Sequence, residues 1–304
     1  MGTVIVWFRN DLRMEDNETL HCALLSGNKV VCVYVFAPDD YAQTRFGFTR
    51  TGPYRTSFIT ESVADLRKQL KKAGSDLVVR CGQYHDVLPG LCQQYSATAV
   101  YCTAGLAPYE VAAEDAVMQV LTPMGVQLHR VQNDNLLTWD MLPFEPCHVP
   151  DVFTSFRQRV EGRGLIDEPL PAPVRIASPQ IDDAGEMPCV ASLCGCTARP
   201  DRRIPMVYTG GTEAAKQRLH YYFNELRGPA TYFDTRNGLV GADYSTHLSP
   251  WLAQGCISAR MVARCVCDFE SKYGASKSSG WIVFELLWRE YFRLVMVKYG
   301  RDLF

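Results

Sequence analysis

No stretch of this sequence approaches the ~20 consecutive apolar residues that a membrane-spanning helix needs. The apolar run at the start, Thr3 to Phe8, is short and has no basic residues ahead of it, so it reads as a first buried strand rather than a signal peptide. Gly2 is followed by Val6 where a myristoylation signal carries Ser or Thr, which excludes that anchor. With no targeting segment seen, the cytoplasm or nucleus is the expected compartment, an organelle being left open. Neither sign of charge is in excess: 31 Lys and Arg face 33 Asp and Glu, so any contact with nucleic acid must use a local patch. No G-x-G-x-x-G follows the first apolar run and no Walker sequence occurs, which argues against a dehydrogenase or P-loop site. No internal repeat or single-residue tract is present. Cysteine is plentiful, with 12 residues, but none form a C-x-x-C pair. Cys22, Cys32, Cys102, Cys265 and Cys267 lie in apolar segments and are expected to be reduced core residues. A zinc site from Cys189, Cys194 and Cys196 with Cys147 or His148 lacks the paired spacing such sites use, and no metal is expected.

What is present is alternation. Val4–Phe8, Val30–Phe36, Leu77–Arg80, Ala97–Cys102 and Val126–Val131 are apolar runs rich in Val and Leu. Between them lie helical patterns at Glu18–Leu25, Tyr54–Ala73, His85–Gln94 and Pro108–Met124, and in the second of these Phe58, Val63, Leu66 and Leu70 recur at helical spacing. Continuous apolar strands alternating with helices predict a parallel sheet covered on both faces, a Rossmann-like α/β domain over residues 1–132. Residues 133–211 form a connector, proline-rich and without periodicity from Gly162 to Pro205. From Thr212 the pattern is helical only, with Thr212–Leu226, Pro250–Gln254, Ser258–Lys272 and Ser278–Tyr299, which predicts an all-α segment over residues 212–304.

Two stretches of the helical part carry chemistry. In the first, Gly238 and Gly241 loosen the backbone, Ser245, Thr246 and Ser249 supply hydroxyls, and Ser249 stands before Pro250 as an N-cap before proline would. Either Ser249 only caps a helix, or the helix start holds a phosphate with help from His247 and Arg260. In the second, ~100° per residue places Trp281, Glu285, Trp288 and Phe292 on one helix face with Arg289 at its edge. An unpaired buried carboxylate is costly, so Glu285 either pairs with Arg289 at i, i+4 or with another cation, or lines a cavity and binds a ligand. An indole beside an acid suits a flat heterocycle, which stacks on the ring and donates an N–H to the carboxylate.

The chain resembles the photolyase/cryptochrome family, and within it the cryptochrome DASH branch. The resemblance rests on Val6-Trp7-Phe8-Arg9-Asn10-Asp11-Leu12-Arg13 with Asp16-Asn17, on Ser62–Arg67 and Gly74–Arg80, on Val152–Arg157, on Gly241–Gly255 and on Phe284–Arg293. It implies an α/β antenna domain followed by a helical FAD-binding domain. It also implies that Ser245, Thr246, His247, Leu248 and Ser249 grip the FAD phosphates, with Tyr232, Trp281 and Arg289 as further flavin contacts. Glu285 and Trp288 match the acid and the stacking surface that meet a flipped pyrimidine dimer. The implied activity is light-driven splitting of cyclobutane pyrimidine dimers by FAD, preferentially in single-stranded or looped DNA, by a monomer. Glu110 and Glu114 are candidate contacts for a 5,10-methenyltetrahydrofolate antenna, although Ala112 and Ala113 stand where relatives carry acidic and polar residues. The resemblance further implies a helical domain that continues past Phe304 with the adenine pocket, the group facing flavin N5 and the tryptophan relay. Trp7, Trp139, Trp251, Trp281 and Trp288 do not match that relay. Residues 1–304 alone are therefore expected to be colourless or weakly loaded with FAD. The competing expectations are a blue-light receptor that repairs nothing and an inactive truncated product.

Overall fold

The computed structural model describes residues 2–303 apart from Pro200, Arg202 and Leu239. Its first half is a five-stranded sheet made of β1 (Thr3–Phe8), β2 (Lys29–Phe36), β3 (Leu77–Cys81), β4 (Ala97–Thr103) and β5 (Gln127–Val131). All four pairings are parallel and the order is β3-β2-β1-β4-β5. The helices α1 (Glu18–Leu25), α2 (Pro53–Lys72), α3 (Tyr84–Gln94) and α4 (Pro108–Leu121) connect the strands and cover both faces. This is why β1 and β2 are apolar at nearly every position instead of alternating: each side chain, up or down, meets a helix. Strand order reverses between β1 and β4, so the crevice beyond their carboxyl ends is the natural ligand position of such a sheet. Asn17 caps α1 by accepting the Leu20 N–H at 3.0 Å.

From Thr212 the chain is helical, as the sequence predicts, while α5 (Phe153–Val160) and α6 (Val190–Cys194) lie in the stretch read as connector; α7 (Thr212–His220), α8 (Tyr232–Thr235), α9 (Ser249–Ala253), α10 (Ala259–Tyr273) and α11 (Lys277–Tyr299) follow. The helix expected over Thr212–Leu226 forms, but it is not regular α-helix throughout. Its regular part ends at His220, and a wider π-helical turn, Tyr221–Glu225, buries Tyr222 and Phe223. The connector holds only the short helix α6 between Gly162 and Pro205 among the described residues. One core joins Leu66 and Leu70 of α2 to Leu219, Val262 and Leu294 of the helical part, and a second fills the opposite face of the sheet. Gly255 has φ +64°, and a Cβ there would lie 2.1 Å from the Asn10 carbonyl oxygen, so only glycine lets this turn rest on the loop after β1.

All twelve cysteines are free. Cys32, Cys92, Cys102 and Cys256 are buried, Cys22 and Cys265 are partly so, and Cys267 is exposed, against the expectation that it belongs to the core. Cys267 falls on the outer side of α10, whose buried face carries Met261, Val262, Ala263, Val266 and Phe269.

Candidate functional site

The loop from Gly238 to Ser249 is shaped by an arginine that the sequence reading did not single out. Arg218 of α7, 7% exposed, donates to the carbonyl oxygens of Ala242 (2.6 Å), Ser245 (2.9 Å) and Thr246 (3.0 Å). In a trans peptide the C=O of one residue and the N–H of the next point in opposite directions. Drawing the Ser245 and Thr246 carbonyls onto Arg218 therefore turns the N–H groups of Thr246 and His247 away from it. These amides have no acceptor among the described residues. His247 has φ +56°, and amides turned outward around a left-handed residue make a concavity that favours anions. The loop is braced by the Thr235 hydroxyl, which donates to the Tyr244 carbonyl at 2.9 Å. The Tyr244 ring lies over Gly238, where a Cβ would sit 2.6 Å from it. The His247 Nδ1 meets the Tyr208 hydroxyl at 2.8 Å, while its buried Nε2 has no partner.

Two expectations for this loop are corrected. Leu248, not Ser249, is the N-cap of α9; Ser249 is the first helical residue and exposed, and its hydroxyl caps nothing. Arg260 does not add charge to the loop. It lies on α10, bound to Asp16 at 2.7 Å and Glu18 at 2.9 Å, and fastens the helical part to the α/β half.

On α11 the expected face is present but more occupied than the sequence suggests. Glu285 pairs not with Arg289 but with another cation, Arg236. Its carboxylate accepts from the Tyr232 hydroxyl and stands 3.4 Å from Arg236 Nε, with its side chain still 42% exposed. The Tyr232 phenol is pushed up by burial and by this carboxylate. Trp281 packs against Phe233 and Phe284, with the Arg236 guanidinium 4.9 Å above its ring. Trp288 stacks on Phe153 of α5 at 3.6 Å and 11°, so one face of its indole is covered. Phe292, 56% exposed, leans on it at 5.7 Å. Arg289 binds the carboxylate and, at 3.1 Å, the carbonyl of Asp134, and reaches the Leu252 carbonyl at the end of α9 at 3.5 Å. Asp134 also faces Arg13 at 3.5 Å and Arg293 at 3.8 Å. Burial pushes its carboxyl up, but Arg289, Arg13 and Arg293 outweigh this and hold it below the usual carboxylate range.

The crevice of the sheet opens into a cavity of about 770 Å³ lined by Arg9, Arg50 and Arg55, by Tyr34, Tyr84 and Tyr109, and by Glu110. Glu110 reaches back to the N–H groups of Leu106 and Ala107, each at 3.1 Å, as an N3 acid does at a helix start. Glu114 is withdrawn from the cavity. It is 1% exposed, and it accepts from Arg9, from the Gly105 N–H at 2.6 Å and from Arg130 Nε at 2.9 Å. Among the described residues no group of three or more metal-binding side chains is gathered; of the connector cysteines, Cys194 and Cys196 lie 4.0 Å apart.

The residues the sequence reading missed are Arg218, Tyr208, Arg236, Asp134 and Phe153. A signal existed for Arg218: it repeats with Ala215 and Leu219 on the buried stripe of α7, where a charge needs a reason. Asp134 and Phe153 lie far in sequence from α11, and nothing local points to them.

A profile of the family described as DNA photolyase matches residues 4–174. The cryptochrome DASH of Gloeobacter violaceus is 40% identical over 302 residues, 99% of this chain and 60% of that protein. The cryptochrome DASH of Arabidopsis thaliana, named chloroplastic/mitochondrial, is 37% identical over 307 residues, 100% of this chain and 54% of that protein. The crystal structure of the Synechocystis sp. PCC6803 cryptochrome superposes with a TM-score of 0.94 at 37% identity, over 100% of this chain and 63% of that one. The chain thus spans about three fifths of the length of such relatives. A profile match over more than half of the chain, together with the shared fold, shows that it belongs to the photolyase/cryptochrome family.

Proposed function

We propose that this chain carries the phosphate-gripping and dimer-facing parts of an FAD-dependent, light-driven pyrimidine-dimer lyase of the cryptochrome DASH type. The observation that carries this reading is the loop clamped by Arg218, whose outward amides at Thr246 and His247 fit a pyrophosphate. The exposed hydroxyl of Ser249, and the hydroxyls of Ser245 and Thr246, would add donors, and the orphaned His247 Nε2 fits a further polar contact. Leu248 is buried beneath the loop and supports it. Arg289, fixed by Asp134, and Trp281, fixed by Arg236, would border the ring system.

The chemistry supplied by bound FAD is a photoexcited electron given to a cyclobutane dimer and returned after the ring opens. The protein's own residues position. Glu285, held by Tyr232 and Arg236 yet part exposed, would accept an N–H from a pyrimidine edge. Trp288, with Phe153 behind it, would offer its other face for stacking. Single-stranded or looped DNA is the proposed substrate, because extruding its bases costs least. The cavity in the α/β half is the proposed folate site. Its arginines and tyrosines suit a flat anion, with Glu110 at the wall and Glu114 in a supporting role behind Arg9.

A second reading, a flavin-binding blue-light receptor without repair, is favoured by one observation: Glu285 and Trp288 already have partners within the fold. Titration of FAD into the purified protein, followed by flavin fluorescence, tests the phosphate loop and registers weak binding as well as tight. Arg218→Ala is expected to weaken binding at least ~10-fold, as loss of ~1.4 kcal/mol would; unchanged binding sinks the loop assignment. Illumination of dimer-containing single-stranded DNA with the flavin-loaded protein separates the two readings. If dimers are split and Glu285→Ala splits them as fast as the native protein, the role given to Glu285 is wrong. If flavin binds and no dimer is split, the repair reading fails for this chain, and the receptor and inactive-product readings remain.

A further inference from the structure

The connector contains a Cys-Gly-Cys sequence, Cys194-Gly195-Cys196, which begins on the last residue of α6. Gly195 has φ +73° with no atom within 4 Å of a Cβ position, so its role is to turn the chain, not to admit a neighbour. The turn folds Cys196 back on Cys194 until their Sγ atoms are 4.0 Å apart, about twice the ~2.05 Å of a disulfide. Both sides of the pair are anchored. Before it, α6 packs against α2. After it, the Arg199 carbonyl accepts the Tyr54 hydroxyl at 2.5 Å, at the start of the same helix. Cys194 is part-buried and its thiol points at the Val190 carbonyl, 3.2 Å away; Cys196 is exposed. Cys189 caps the opposite end of α6, about 7 Å along the axis at 1.5 Å per residue.

We propose that Cys194 and Cys196 form a reversible dithiol–disulfide site in the connector, oxidised by a low-molecular-weight disulfide of the glutathione type. The exposed Cys196 thiolate attacks one sulfur of that disulfide, forming a mixed disulfide and releasing one thiolate. The Cys194 thiolate then attacks the Cys196 sulfur and displaces the second small thiolate. The protein loses two electrons and two protons, and the small disulfide becomes two thiols. A ring closed through only one intervening residue is strained, which makes such a bond readily reduced. Desolvation and then the neighbouring Cys194 thiol push the Cys196 thiol up, so exchange is expected to quicken as pH rises past the ordinary thiol range. Cys189, held down by the hydroxyl and N–H of Ser192, is the competing thiolate, and its reach along α6 is too long for the ring.

The test is oxidation of the purified protein with glutathione disulfide, acid quenching, alkylation and tryptic digestion. The peptide beginning at Ile176 carries Cys189, Cys194 and Cys196. It is expected to lose two hydrogens, to keep Cys189 open to alkylation or glutathione, and to recover all three thiols on reduction. Cys194→Ser and Cys196→Ser are each expected to stop the two-hydrogen loss and leave a glutathione adduct on the remaining partner. Cys189→Ser is expected to form the bond at a similar rate. The proposal is overturned if Cys194 and Cys196 stay alkylatable under oxidation, if fragmentation places the bond on Cys189, or if only intermolecular dimers form.

Discussion

Two arginine-built regions of this molecule use the same side chain for opposite ends. Around Asp134, three guanidinium groups from the loop after β1 and from α11 converge on one buried carboxylate. In the 238–249 loop, a single arginine meets three backbone carbonyls, and the nearest carboxylate, Asp243, is 3.8 Å away. In the first region charge closes on charge, and of the three arginines only Arg289 is proposed to border a ligand. In the second, positive charge is spent on carbonyl oxygens, so the amides on the other side of those peptides are turned outward without partners. The same distinction separates Glu114 from Glu285. Glu114 is saturated by two arginines and an amide, whereas Glu285 keeps two-fifths of its side chain in solvent between a tyrosine and a guanidinium. On the proposed function, closed ionic knots hold the fold and open ones would meet the ligand.

The most severe way to break this contrast is Asp134→Asn. It leaves Arg13, Arg289 and Arg293 facing each other without the carboxylate they share, and removing one member of a buried ionic group costs about 3–5 kcal/mol. Urea unfolding at neutral pH checks this. The pH dependence carries a sign. The folded Asp134 carboxyl lies below its unfolded value of about 3.9, so its contribution is complete above that pH and is lost as pH falls beneath it. Native stability should therefore decline below about pH 4 more steeply than that of the Asn variant, whose residue does not titrate. Equal slopes would show that the knot is not holding this carboxyl ionised.

Arg218→Ala tests the other side. It strands three carbonyls that share one charged donor, and a stability loss of about 2–3 kcal/mol is expected, as for hydrogen bonds to a charged group. The loss should be local: chymotrypsin should cut after Tyr244 much sooner while the amides of β1 and β2 stay protected from deuterium exchange. Arg218→Lys keeps the charge but not the planar fork, and should fall between the two. If exchange rises throughout the chain instead, Arg218 holds the fold and the contrast with Asp134 disappears.

How much of this was legible in the sequence follows from the range of each interaction. The parallel sheet and its helices were legible because burial on both faces writes itself into runs such as Val30–Phe36 and into the spacing of Phe58, Val63, Leu66 and Leu70. The face of α11 was legible because ~100° per residue is a local rule. Its partners were not, since Asp134 and Phe153 lie more than a hundred residues away and only the fold brings them to Arg289 and Trp288. The i, i+4 pair of Glu285 and Arg289 fails for that reason: Arg289 finds a buried carboxylate with stronger claims than a half-exposed neighbour on its own helix. The change of pitch at Tyr221 was also hidden, because a π-helical turn keeps the composition of a helix.

The smallest effects sharpen the same contrast at two helix starts. Asn17 and Ser249 both have the residue type of an N-cap in the sequence. Asn17 is one: its side chain accepts the Leu20 N–H at 3.0 Å and donates to the Asp11 and Arg13 carbonyls at 3.1 and 3.0 Å. Replacing it by alanine removes the cap and is expected to cost at least about 1 kcal/mol. Ser249 is already inside α9, exposed and without a capping bond. Ser249→Ala should change stability by no more than about 0.5 kcal/mol, as for an ordinary surface position. If its hydroxyl serves the phosphate loop, the same change should still weaken FAD binding severalfold. Thermal unfolding and FAD titration of the two variants together decide the matter. A destabilised Ser249→Ala would restore the capping role, and unaltered flavin affinity at normal stability would remove Ser249 from the site while leaving the Arg218-clamped amides in place.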